Sequence, residues 1–138
     1  MWAHEHVTET DLRPEAIWRV LRDLDNWTSW DTSMESVTLN GPFAVGSEVI
    51  MVPKGQGRIT SVITAISENE RYADRTEYAG LTLGFSHTLT PLPGGGTRIT
   101  HRLEITGDHV DERGPEIGLM ITGDFPQAMA ALLAAAAA

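Results

Sequence analysis

Hydrophobic and polar residues alternate with period two over most of the first 107 positions, the signature of half-buried β-strands. The clearest case runs from Leu81 to Gly107. In L-T-L-G-F-S-H-T-L-T, one face carries Leu81, Leu83, Phe85, His87 and Leu89. In T-R-I-T-H-R-L-E-I-T-G, one face carries Thr97, Ile99, His101, Leu103 and Ile105, and the other Arg98, Thr100, Arg102 and Glu104. The turn lies in Pro91 to Gly96, so the segment reads as a long antiparallel hairpin with one histidine per strand among the apolar residues.

The same alternation predicts a strand over 2–10, with Glu5 and Glu9 on the solvent face and Trp2, His4 and His6 facing inward. Pro14 opens a short helix with Ile17, Trp18 and Leu21 as its apolar stripe. Asn26 is placed to cap a second short helix containing Trp27 and Trp30. Further strands are predicted over 35–40, 47–53, 58–67 and 71–78. The third of these is apolar on both faces, and the pattern does not orient it. In the fourth, Arg71, Ala73, Arg75 and Glu77 read as the solvent face, which puts Asp74 inward between Tyr72 and Tyr78. Beyond Gly107 the period changes. Ile117, Met120, Ile121, Phe125, Ala128, Met129 and Leu132 predict an amphipathic helix of about 20 residues that begins at Pro115. Pro126 should kink or split it, and Asp124 falls near its apolar stripe.

Composition narrows the partners. A chain of 138 residues is one domain, long enough to bury about two-thirds of its unfolded surface. A net charge of −9 leaves no basic face for nucleic acid and disfavours anionic membranes. There is no cysteine, hence no disulfide and no thiolate. The start, M-W-A-H-E-H, has no signal-peptide pattern, and no apolar run approaches a bilayer span, so a cytoplasmic protein without membrane insertion is expected.

Several strings carry a resemblance: P-E-A-I-W-R-V-L-R-D-L-D-N-W-T-S-W-D, V-T-L-N-G-P-F-A-V-G-S, L-T-P-L-P-G-G-G-T-R-I-T-H and the closing amphipathic helix. With the element order, they make the whole chain resemble the START-like superfamily of polyketide cyclase/dehydrase and lipid-transport proteins. The resemblance implies an α+β helix-grip fold over residues 1–138. A curved seven-stranded antiparallel sheet wraps a long C-terminal helix, two short helices follow the first strand, and an internal cavity lies between sheet and helix. It also places the first strand beside the seventh and the seventh beside the sixth. His4, His6, His101 and His87 then fall on one wall of the cavity, within cross-strand reach of one another.

Neighbouring imidazoles in a low-dielectric pocket suit general acid–base catalysis. They also suit a polar ligand lining, or core histidines bonded to one another. A metal held by His4 and His6 with His101 or His87 is a further option, although the resemblance implies neither metal nor cofactor. Asp74, among tyrosines, reads as an acid or base with a raised pKa. Asp124, if it faces the cavity, would orient a histidine. Trp27 and Trp30, near the cavity mouth, either stack on a polycyclic ligand or plug the core. Tyr72, Tyr78, Phe85, Met51, Ile121 and Phe125 complete the expected substrate-binding lining. The chain does not match the Arg and Tyr pattern of the aromatase/cyclase branch, for which Arg58 with Tyr72 or Tyr78 are the loosely placed candidates.

The expected function is therefore a cofactor-free enzyme of specialised metabolism, a cyclase/dehydratase-like lyase or isomerase. It would act on a hydrophobic polycyclic or polyketide-like substrate by histidine acid–base catalysis. The alternative is a non-catalytic carrier for a lipid or other apolar molecule, and a weaker option is a regulatory interaction module. Either a monomer or a homodimer fits.

Overall fold

The computed structural model describes residues 1–138. Strand β1 (Trp2–Thr10) leads into α1 (Pro14–Leu21) and a 3₁₀ helix (Leu24–Ser29). Six strands follow: β2 (Met34–Asn40), β3 (Glu48–Pro53), β4 (Ile59–Ser67), β5 (Arg71–Tyr78), β6 (Leu81–Pro91) and β7 (Thr97–Gly107). Two helices close the chain, α2 (Val110–Thr122) and α3 (Phe125–Ala137). The strands form one antiparallel sheet in the order β1-β7-β6-β5-β4-β3-β2, as the resemblance implies.

The inward residues of β1, β6 and β7 are those the alternation selects. Leu81, Leu83, Leu89, Ile99, Leu103 and Ile105 are all buried. Strand β4 resisted orientation because its alternation is broken by a bulge. Its register against β5 shifts between Ile63 and Ala65. Ile63 therefore lies opposite Asp74 and Ile66 opposite Tyr72, on one face although three residues apart.

The core has two parts. One joins Ile17, Trp18, Leu21, Leu24, Trp27 and Trp30 to β2–β5, Leu89, Ile99 and the α3 residues Met129, Leu132 and Ala136. The other comprises Leu81, Leu83, Leu103, Ile105 and Phe125.

The helices depart from the sequence reading in detail. Asp23, not Asn26, precedes the 3₁₀ helix, and Asn26 lies inside it, donating from Nδ2 to Asp23 Oδ2 at 2.8 Å. Helix α2 begins five residues before Pro115, because the left-handed backbone at His109 (φ 58°) turns the chain so that Glu112 N–H and Arg113 N–H bond the His109 carbonyl. The expected single helix is split at Gly123–Asp124, with Pro126 in the first turn of α3, where its missing N–H costs nothing.

Residues Val110–Ala137 do contain one stretch long and apolar enough to cross a membrane, with mean hydropathy 1.3, contrary to the sequence expectation. That stretch is α2 plus α3. Its apolar face, from Phe125 through Met129 to Leu132, is buried against the rest of the fold.

Candidate active site

Strand register builds the site. Tyr72 lies opposite His87, His87 opposite His101, and His101 opposite His6. Four side chains on four neighbouring strands thus form one polar row across the inner face. Asp74 starts the next row, with Phe85, Leu103 and His4. On β6 and β7 the polar row falls on the seam between the two core clusters, with Leu89 and Ile99 on one side and Leu83, Leu103 and Ile105 on the other.

The row is stacked as well as aligned. The His87 and His101 rings lie 4.0 Å apart at 22°, and His101 and Phe125 lie 3.8 Å apart at 15°. Trp27 meets His87 edge-on at 6.2 Å and Tyr72 edge-on at 5.8 Å. The Tyr72 hydroxyl donates to Asp74 Oδ2 at 2.9 Å. At the open end of the row, His6 Nε2 and the Thr8 hydroxyl share a hydrogen bond of 3.1 Å.

Burial sets the electrostatics. Asp74 is 3% exposed, and loss of hydration pushes its carboxyl up to about 7, with the Tyr72 hydrogen bond pulling slightly the other way. Burial drives the Tyr72 phenol far above its ordinary range, and the adjacent Asp74 adds to this. His87 is pulled down to about 4 by burial alone. His101 is held well below its ordinary value by burial and then by its neighbours His87 and His6. At neutral pH both stacked imidazoles are therefore neutral, and Asp74 is poised to gain or lose a proton. His87 Nδ1 is buried and has no hydrogen-bond partner. An unmade bond to such a group costs about 1–3 kcal/mol.

The candidates sort themselves by position. His6, His87 and His101 come together with Tyr72 and Asp74. His4 sits one row away, stacked on Trp2 at 6.2 Å and tilted against Phe125 at 6.1 Å. Phe85 is partly buried opposite Asp74, and Ile121 packs on the same apolar cluster as Phe85. Tyr78 does not line the site: it ends β5 beside the Ala79–Gly80 turn and is 54% exposed. Trp27 and Trp30 are buried in the first core cluster, Trp30 bordering a cleft beside Arg19 and Asn26, and the Trp27 indole N–H donates to the Leu21 carbonyl at 2.9 Å. Met51 packs into the first core cluster, away from the histidines. Asp124 faces no histidine. Burial raises its carboxyl and nearby Asp31 raises it further, with Ser33 acting in the opposite direction; the Ser33 hydroxyl itself donates to Asp31 Oδ1 at 2.6 Å.

No three metal-capable side chains converge. Phe125 packs face to face over His101, on the helix side of the row. Two clefts lie elsewhere on the molecule. One of about 260 Å³ runs between Arg19, Asn26, Trp30 and Ala135, and one of about 210 Å³ between Trp18, Arg22 and Phe43.

One feature escaped the sequence reading. Gly114 and Gly118, one turn apart on α2, leave a groove that the Trp2 indole fills so closely that a Cβ at Gly118 would overlap the ring. Their i, i+4 spacing was the available signal, but nothing in the sequence says that Trp2 lies opposite.

The model of the family described as polyketide cyclase/dehydrase and lipid transport matches residues 1–138. A search of curated proteins finds no match. Among solved structures, the chain is similar to a protein from Mesorhizobium loti (TM-score 0.72, 21% identity, covering 97% of this chain and 96% of that one). It is also similar to a norcoclaurine synthase point mutant from Thalictrum flavum, in complex with a transition-state analogue (TM-score 0.74, 15% identity, 95% and 91% covered). A START superfamily protein from Mycobacterium smegmatis gives a TM-score of 0.72 at 13% identity, with 95% and 93% covered. At these identities the likeness concerns the fold.

Proposed function

We propose, for a chain that belongs to the polyketide cyclase/dehydrase and lipid-transport family, that it is an acid–base enzyme acting on a hydrophobic small molecule between the sheet and α3. The observation that carries this reading is the buried proton-transfer set: Asp74 with one hydrogen bond, and His87 with an unpartnered Nδ1. Both groups are costly to bury. A simple carrier gains nothing from them, whereas a substrate carbonyl or hydroxyl would satisfy them. Asp74, near neutrality in its protonation, serves as the acid or base, with Tyr72 relaying hydrogen-bonding to it. Neutral His87 and His101 take or give a hydrogen bond at an enol or alcohol oxygen. Apolar groups from Phe85, Leu103 and Ile121 hold the hydrocarbon part. Cyclisation, dehydration and isomerisation all need only such proton movements, so no cofactor is invoked. The reaction takes place in the cytoplasm.

The test is untargeted mass spectrometry of a hydrophobic metabolite extract incubated with wild type, Asp74→Asn and His87→Gln. Wild type should convert a compound to an isomer or to a product one water lighter, and both variants should bind it without converting it. Binding without conversion by wild type itself would make the protein a carrier.

A further inference from the structure

We infer that β1 is the contact between two copies of this chain, each strand pairing antiparallel with its counterpart about a twofold axis at His6, so that the two sheets continue as one. The two edges of the sheet are finished differently. At β2 the edge is blunted. Its ladder with β3 is broken by a bulge between Met34 and Ser36, the 3₁₀ helix packs along it, and its Leu39 N–H donates to Asp25 Oδ1 at 2.8 Å. Strand β1 has none of these devices. It pairs with β7 residue for residue from Trp2 to Thr10, without bulge, proline or lysine. Outside the ladder with β7, no backbone hydrogen bond involves Trp2–Thr10, so the outer row of N–H and C=O groups is open along the strand. An edge of this kind is a template for another strand. Exposed apolar side chains gather beside it. Of the six large ones, Val7 lies on β1, Met1 just before it, and Leu119 and Met120 on α2, which packs on β1.

The strand fits itself, and its charges set the register. Antiparallel pairing in one sheet keeps like faces together, so opposed residues share parity. With the axis at His6, Trp2 meets the partner's Thr10, and all nine residues of β1 are paired. Glu5 falls opposite the partner's Val7, and Glu9 opposite the partner's Ala3. An axis at Glu5 or at Val7 sets glutamate against glutamate and pairs fewer residues, and like charges directly opposed are unfavourable. Both glutamates are already balanced within their own copy, Glu5 by Arg102 at 3.1 Å and Glu9 by Arg98 at 2.9 Å. Helix α2, seated on Trp2, lies with its counterpart at opposite ends of the joined strands. His6, the open end of each polar row, meets the partner's His6, so the two rows join.

The experiment is sedimentation equilibrium of the full chain up to about 0.1 mM, with amide exchange measured over the same range. Wild type should dimerise, and exchange in β1, but not in β2, should slow as concentration rises. Val7→Glu, which sets a carboxylate against the partner's Glu5, should weaken association about ten-fold, and Val7→Lys at the same place much less. Because the chain has no cysteine, single cysteines report the register. His6→Cys should oxidise to a covalent dimer, since opposed Cα atoms lie about 4.5–5.5 Å apart, whereas Glu5→Cys and Val7→Cys should stay monomeric under the same oxidant. A wild type that is monomeric at about 0.1 mM, dimerisation indifferent to Val7→Glu, or cross-linking through Glu5→Cys or Val7→Cys in preference to His6→Cys overturns the inference. The wild-type sedimentation decides this even if a variant misfolds.

Discussion

His87 and His101 face one another across the β6–β7 ladder with ring centroids 4.0 Å apart. At that distance, and with so little water, a proton on one ring opposes a proton on the other. Burial holds both rings neutral well into the acid range, and for His101 the neighbouring His87 and His6 add to it. In a histidine NMR titration, the His87 midpoint should fall near 4 and that of His101 well below 6.5. His87→Gln should raise the His101 midpoint, because one of the charges opposing its protonation is gone. A midpoint near 6.5 for either residue would mean that the row is wetter than its geometry indicates.

Asp74 and His87 give stability opposite dependences on pH. The Asp74 pKa is raised on folding, so its contribution is fully present below the ordinary 3.8 and is lost as pH rises through about 7. The loss amounts to at most about 4 kcal/mol. The His87 pKa is lowered, so its contribution is fully present above 6.5 and is lost as pH falls toward about 4. In wild type the two oppose one another across the acid range. Asp74→Asn should leave only the histidine slope, a protein gaining stability from acid to neutral pH, and it should be more stable than wild type above neutrality. Denaturant midpoints across pH check both signs.

Tyr72→Phe tests the polar row at its other end. It removes the hydrogen bond donor of Asp74 and leaves a buried carboxyl unpaired. The expected cost is about 1–3 kcal/mol in denaturant unfolding. Because that bond favours the carboxylate, its loss should also raise the Asp74 pKa. Tyr72→Phe combined with Asp74→Asn should cost less than the sum of the two single changes.

Gly118→Ala tests the seat of Trp2. The added methyl would overlap the indole, so α2 must shift, at a cost of about 1–3 kcal/mol. Trp2→Leu in the same chain should recover part of that loss by freeing the groove. If Gly118→Ala is neutral or stabilising in thermal unfolding, Trp2 does not hold α2.

The fold was legible because strands with one buried face advertise it. The alternation placed His6, His87 and His101 inward and found Asp74 beside Tyr72, and the resemblance supplied the strand order that makes neighbours of β1, β7 and β6. What was hidden depends on contacts between distant segments. The bulge in β4 lies in a strand apolar on both faces, so no pattern revealed the shift at Thr64. Tyr78 shares the parity of Tyr72 but lies past the edge of the core, which alternation does not register. The helix period put Asp124 near the apolar stripe, but the chain breaks at that residue and leaves it facing Asp31 and Ser33. Aromatic stacking was invisible for the same reason: inward direction is local, whereas the meeting of Phe125 with His101 is set by how α3 crosses the sheet.

The most direct measurement is a ¹³C NMR titration of the Asp74 side-chain carboxyl in the folded protein. The buried acid–base set requires a midpoint near 7, moving upward in Tyr72→Phe. A midpoint near 3.8, unmoved by that substitution, would show a hydrated carboxylate and would contradict the assignment of Asp74 as the proton donor and acceptor of this site.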